Sequence, residues 1–313
     1  MFLITKSASR TISSAIFLRQ YAKTESAFTS AMAKVLTASI KTVKQRLTQL
    51  PLPDVFDPDE LVDLLLDTEL LNAELIDAIL PVIAHGMSEV AIGFFLSLGI
   101  DLRRQRQTLM QVKSTASEWL ENNPDVTLPP GIALDMPDWM KEELSTLMRE
   151  SFSQDYWQVI AKTTRNDIRA FLTVGSAEGW SIERIAKELT QAFPAEYSKQ
   201  RARTVARTEC GHALNGARNT SYERMKRELP NEVAQYIGKS WISVLGNTTR
   251  DAHANLDGTM ADVDGMFDLN GIRVPWPAHY SLPPADRCNC QCTLGMEFGV
   301  GAPGLDEITE MLV

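Results

Sequence analysis

Arg201-Ala-Arg-Thr-Val-Ala-Arg-Thr-Glu-Cys210, followed by Ala213, Asn215, Ala217 and Arg218, is the stretch on which the fold turns. It sits between the turn at Phe193-Pro194 and Pro230, and reads as one basic helix from about 197 to 228. Ala202, Ala206, Ala213 and Ala217 form a stripe of small side chains against which another element can pack closely. Arg203 and Arg207 stand four apart and share a face. One reading gives Arg201, Arg203, Arg207 and Arg218 a contact with phosphates or with an acidic protein surface. The other is a solvated face with internal salt bridges, Glu209 being one partner.

The chain upstream reads as a series of helices. Gly179-Trp-Ser181 opens a short helix, with Ser181 as N-cap and Ile182, Ile185, Ala186 and Leu189 as its apolar face. This helix and the basic one read as two packed helices rather than as a DNA-reading helix-turn-helix. A long helical region is expected after Pro137, through Trp139, Leu144, Leu147, Phe152, Trp157, Ile160 and Ile168, with a break near Ser153 and an end near Gly175. Earlier helices are expected over 26–50, from Asp57 through Leu61, Leu64, Leu65 and Leu71, over 72–98, and over 102–121. Asp57-Pro58-Asp59-Glu60 is a strong start signal: a cap, a proline in the first turn and an acid three residues on. The Pro- and Asn-rich stretch 122–131 reads as a linker.

Past Pro230 the texture changes. Val233 to Val244 holds Val, Tyr, Ile and Trp in short alternating runs, which suits strands. Gly, Asp and Pro then become frequent. The expected class is mainly α, with a helical N-terminal region and a small α+β, loop-rich C-terminal domain. Composition divides the chain into a helical arm and docking region (1–125), a helical middle (126–230) and a small Cys- and His-containing α+β tail (231–313).

The 313 residues are 44% apolar and 23% charged, which excludes a mainly disordered chain. The apolar stretch Leu80 to Ile100 is interrupted by His85, Ser88 and Glu89, so no membrane partner is expected. The net charge of -9 argues against a basic nucleic-acid coat, but it hides a striped pattern. Residues 1–50 carry eight Lys/Arg and one acid, whereas 51–100 carry ten acids and no Lys/Arg. Such stripes serve separate partners or pair with one another. The acid-free start, residues 1–24, has the composition of a transit peptide and equally of a basic docking arm.

Chemistry concentrates near the C-terminus. Three of the four cysteines, Cys288, Cys290 and Cys292, fall within five residues. That spacing suits a metal or a reduced compartment better than a disulfide framework. His253 lies upstream, between Arg250-Asp251 and Asp257-Gly258. Zinc prefers thiolate and imidazole ligands, so His253 with Cys288, Cys290 and Cys292 is the candidate metal set. A buried cluster of small reduced residues is the alternative. Asp257, Asp262, Asp264 and Asp268 lack EF-hand spacing and read as turn formers beside glycines. No catalytic residue is assigned. A zinc-dependent hydrolase or nuclease centred on His253 and the Cys288–Cys292 cluster, with Glu209 as base, is the competing function.

Together these segments resemble the phage head-morphogenesis family, the minor head proteins similar to protein F of phage Mu. The matching residues run in family order: Gly179-Trp-Ser181; Ala206-Arg-Thr-Glu209 with Ala213, Asn215 and Ala217; Trp241, then Thr249-Arg250, His253 and Asp257-Gly258; and Asn289-Cys-Gln-Cys292, similar to a terminal Asn-Cys-Arg-Cys. Glu209, Asn215, Trp241, Arg250, Asp257 and Gly258 would be the structural positions of that motif. The resemblance implies a low-copy head protein that associates with portal, capsid or scaffold proteins during prohead assembly, and possible contact with phage DNA. It implies location inside the virion head, and in the host cytoplasm during assembly. It also recasts the N-terminus as a docking element.

Overall fold

The computed structural model describes residues 8–49, 56–96, 142–147, 154–244 and 249–298. The expected linker at 122–131, the helix at 102–121 and the break at Ser153 lie outside the described residues. The chain forms two compact units from interleaved segments. One draws on 1–25, 81–151 and 205–313, the other on 26–80 and 152–204. The architecture is mainly α, with short strands confined to the C-terminal part.

Helix α1 spans Ala8–Gln49. It starts well before residue 26, the sequence-based boundary. The reason is a buried stripe of Phe17, Tyr21, Phe28, Met32, Leu36, Val43 and Leu47, whose spacing of three to four residues, or twice that, keeps one face apolar along the helix. In the first unit the Tyr21 hydroxyl donates to the Arg207 carbonyl at 2.9 Å. Gly86 permits a close approach there, since a Cβ at that position would lie 2.5 Å from Thr24 Oγ1.

The second unit contains α2 (Pro58–Leu65), where Asp57 caps the helix by accepting from the amides of Asp59 and Glu60. The expected stripe running on to Leu71 is interrupted. Leu66 is extended, and the Asp67 carboxylate accepts from Leu70 N at 2.9 Å, starting α3 (Thr68–Leu96). A short acid that captures a backbone amide competes with continuing the previous helix. Leu71 is therefore buried from α3, while Leu64 on α2 is left 59% exposed. Within α3, Thr68–Phe94 is long and apolar enough to cross a membrane by length and composition, and 56% of its most apolar window is buried inside the protein, as in a core helix.

The acidic stripe finds part of its partner within the same unit. Asp63 accepts from Arg165 at 2.7 Å, and Asp59 takes a two-pronged contact from Arg169, both arginines on α4 (Gln154–Ala177). The Arg169 guanidinium holds the Asp59 carboxyl below its usual range. Ser181 caps α5 (Ile182–Ala192), whose Ile185, Ala186 and Leu189 are buried as the sequence predicts. Phe171, Trp180, Phe193 and Tyr197 pack edge to face around the turn that follows.

Helix α6 (Ala195–Glu228) continues into the first unit and is followed by the short α7 (Asn231–Ala234). Strand β1 (Ile237–Ile242) then pairs antiparallel with β4 (Thr293–Phe298), from Ile237 opposite Phe298 to Ile242 opposite Thr293. On the other edge of β1 the chain at 258–261 adds three backbone hydrogen bonds, including Trp241 N to Thr259 O at 2.9 Å. Between the two strands lie α8 (Asp251–Asn255), a hairpin of β2 (Phe267–Leu269) and β3 (Ile272–Val274), and α9 (Pro284–Arg287). Asn270 and Gly271 both take positive φ, which the tight two-residue turn of this hairpin requires.

Candidate functional site

The site forms where α6 passes behind the cysteine loop. Thr208, Gly211 and Asn215 share the face turned to the loop, and the stripe of Ala206, Ala213 and Ala217 is buried on the other side of the helix. Gly211 allows the contact to be close: a Cβ there would sit 3.1 Å from the Cys290 carbonyl oxygen. Asn215, fully buried, ties the helix to the loop. Its amide nitrogen donates to the carbonyls of Gly211 and Cys292 at 2.9 Å each, and its oxygen accepts from Leu294 N at 3.2 Å. Glu209 accepts from Arg287 at 2.6 Å, and Thr208 Oγ1 accepts from Asn289 N at 3.1 Å.

The opposite wall comes from β1 and α8. Trp241 lies edge-on to the imidazole of His253, with centroids 5.8 Å apart, and to Phe267. Asp257 accepts from Ser243 N at 2.8 Å, and Gly258, at φ +76°, turns the chain back onto β1. The Ser243 hydroxyl donates to the His253 carbonyl. Arg250 donates to the Cys288 carbonyl at 2.6 Å and so clamps the start of the cysteine loop.

These supports bring three ligand-type side chains together. His253 Nδ1 lies 3.5 Å from Cys290 Sγ and 3.5 Å from Cys292 Sγ, and all three residues are buried. The set is smaller than the sequence suggests, because Cys288 is not part of the group. It ends α9 as a C-cap, and Asn289 follows in the left-handed region at φ 57°. Strand-like alternation, which would have put all three thiols on one face, is broken at that residue. Cys210 is buried in α6 and stands outside the group too. Hydrogen bonding with Cys290, His253 and Ser243 pulls the Cys292 thiol down, and hydrogen bonding to Cys292 together with burial pushes the Cys290 thiol up. A small cleft lined by Thr249, Arg250, Asn289 and Gln291 opens beside the three side chains.

His212 belongs to a second, aromatic cluster. Its Nδ1 accepts from the Trp276 indole at 3.3 Å, and its ring packs against His279 and Tyr280. Burial first, then the Arg287 charge, lowers its pKa to about 3, and His279 falls to about 4 for the same reasons.

The arginines of the basic helix have separate fates. Arg201 donates to Asp167 at 2.5 Å and to the Ile160 carbonyl at 3.0 Å. Arg207 pairs with Glu25 at 2.9 Å. Arg218 is buried, its guanidinium 5.3 Å from the centre of the Phe17 ring, and desolvation lowers its pKa to about 10. Arg203 is exposed. Of the acids, Asp262 forms a turn by accepting from the amides of Asp264 and Met266 and by pairing with Arg273, as expected of a turn former.

Sequence reasoning missed Ser243, Thr208, Asp286 and Arg287. Asp286 Oδ1 is 3.9 Å from His253 Nε2, and Arg287 is the partner of Glu209. The only signal for these two was their place just before the cysteines.

Residues 166–295 match the model of the family described as Phage Mu protein F like protein. Over 138 residues the chain is 30% identical to the NAD(+)–arginine ADP-ribosyltransferase EFV of Enterococcus faecalis, covering 44% of this chain and 26% of that protein. It is 29% identical over 147 residues to the uncharacterized protein YqbB of Bacillus subtilis, covering 46% of each. It is 29% identical over 131 residues to minor head protein GP7 of Bacillus phage SPP1, covering 41% of this chain and 39% of that protein. The chain thus spans less than half the length of these curated relatives. No solved structure matches it.

Proposed function

We propose that this chain, whose residues 166–295 belong to the phage Mu protein F-like family, is a low-copy structural protein of a tailed-phage head. It associates with the portal and with capsid or scaffold proteins during prohead assembly in the host cytoplasm, and remains inside the head of the virion. One relative, GP7 of Bacillus phage SPP1, is a minor head protein, which supports the head assignment.

The observation that carries the structural reading is convergence. Glu209, Asn215, Arg250 and Asp257 each commit polar atoms to Arg287, to the carbonyls of Cys292 and Cys288, or to the Ser243 amide. Residues that fix a buried loop do this, and residues that turn over a substrate need an accessible face. A zinc-dependent hydrolase centred on His253 draws less support. Glu209, its candidate base, is buried and bound to Arg287, and Cys288 stands outside the group. Of the candidate contact residues Arg201, Arg203, Arg207 and Arg218, all but Arg203 are spent on internal partners or buried, which supports docking on a protein rather than a broad DNA surface.

Sedimentation tests the reading. Tagged chain from cells making proheads should travel with the particles when portal protein is present and stay at the top of the gradient when it is absent. Free sedimentation in both cases overturns it.

A further inference from the structure

We propose that His253, Cys290 and Cys292 bind one zinc ion, with the carboxylate of Asp286 holding the imidazole from behind. Separations between ligand atoms carry the argument. A tetrahedral zinc with Zn–S of about 2.3 Å and Zn–N of about 2.05 Å sets its nitrogen and sulfur ligands about 3.6 Å apart. Both Sγ atoms lie 3.5 Å from His253 Nδ1, and the three ligand atoms all fall within 4.8 Å of one another. The side chains are therefore already spaced as ligands of a single ion, and the thiolate–imidazole set is the one zinc prefers.

A second, independent observation lies on the far side of the ring. His253 Nε2 is buried and makes no hydrogen bond. Binding of an ion at Nδ1 puts the ring proton on Nε2, and Asp286 Oδ1 lies 3.9 Å from that nitrogen. A carboxylate behind the distal ring nitrogen is the usual support of a metal-bound histidine. Asp286 is in turn held by Asn270. Asp286 is thus a positioning residue and not a ligand. Among the described residues the group holds three ligand-type side chains, and the cleft beside Thr249 and Gln291 adjoins them.

The ion ties α8 to the run of chain that enters β4. Those two segments are 37 residues apart in sequence and lie on opposite walls of the site. This is a cross-brace, and it stands or falls independently of the head assignment.

The test uses the full chain, with zinc and cobalt as probes. Purified protein should carry one zinc per chain by elemental analysis. Cobalt loading should give thiolate-to-metal absorption and the intense visible bands of a tetrahedral site. Cys288→Ser and Cys210→Ser should keep one metal per chain, whereas Cys290→Ser, Cys292→Ser and His253→Ala lose it. Asp286→Asn should weaken binding about 10- to 100-fold while leaving the cobalt spectrum tetrahedral. Folded wild-type chain that takes up neither metal overturns the proposal. So does a Cys288→Ser protein that folds and loses its metal, since that outcome moves the site elsewhere. Ligand variants that fail to fold leave the wild-type, Cys288→Ser and Asp286→Asn measurements to decide.

Discussion

Replacing Asn215 with alanine removes the side chain that joins α6 to the cysteine loop. The wild-type amide satisfies Cys292 O at 2.9 Å and Leu294 N at 3.2 Å in a place with no solvent access. Alanine leaves both backbone groups without those partners, and each such orphan costs about 1–3 kcal/mol. The sum is about 2–6 kcal/mol, at the upper end of what single substitutions cost. With a urea slope of about 2 kcal/mol/M, the unfolding midpoint falls by about 1–3 M. Tryptophan fluorescence follows the unfolding, and two of the six tryptophans, Trp241 and Trp276, flank this region. Hydrogen exchange at the Leu294 amide should rise with it. Gln291→Ala, on the same loop, should leave the midpoint in place. A midpoint for Asn215→Ala that matches wild type would refute the idea that this residue fixes the loop.

Other substitutions test other parts of the same unit. Glu209 and Arg287 form a pair with side chains only 4% and 17% exposed, so removing either partner alone should cost about 3–5 kcal/mol. Removing both should cost clearly less than the two single losses added together, as a double-mutant cycle in urea would show. His212 titrates at about 3 when folded and near 6.5 when unfolded, so the unfolded chain binds the extra proton below pH 6.5. Stability is therefore complete above pH 6.5 and is lost as the pH falls toward 3, by about 2 kcal/mol at pH 5. His212→Phe should flatten the unfolding midpoint between pH 7 and 5, and an unchanged slope would assign the effect to another group. Gly211→Leu should overpack the helix against the Cys290 carbonyl, lowering stability by about 1–3 kcal/mol in the same urea assay.

The parts of this protein legible in the sequence are those governed by neighbours in the chain. The caps at Asp57 and Ser181 and the buried face of α5 depend on residues within one or two turns, and they stand where the sequence places them. The metal-type residues were legible by kind: a histidine and a tight run of thiols. Their membership was not, because one left-handed residue, Asn289, decides that Cys288 leaves the set. The start of α1 was missed for a different reason. Basic residues among Ser and Thr suggested an arm, yet the repeat of Phe17, Tyr21 and Phe28 already continues the apolar stripe. The roles of Asp286, Arg287 and Ser243 come from contacts spanning 10 to 78 residues, and no local pattern signals them. The charge stripes were visible, but their internal pairing through Arg165 and Arg169 needed the fold.

The measurement that bears most directly on the head assignment is the amount of this chain in purified mature particles, counted against the major capsid protein by quantitative mass spectrometry. The account predicts a few copies per particle, retained through washing and lost from particles assembled without portal protein. Particles that are infectious, complete and free of this chain would contradict it.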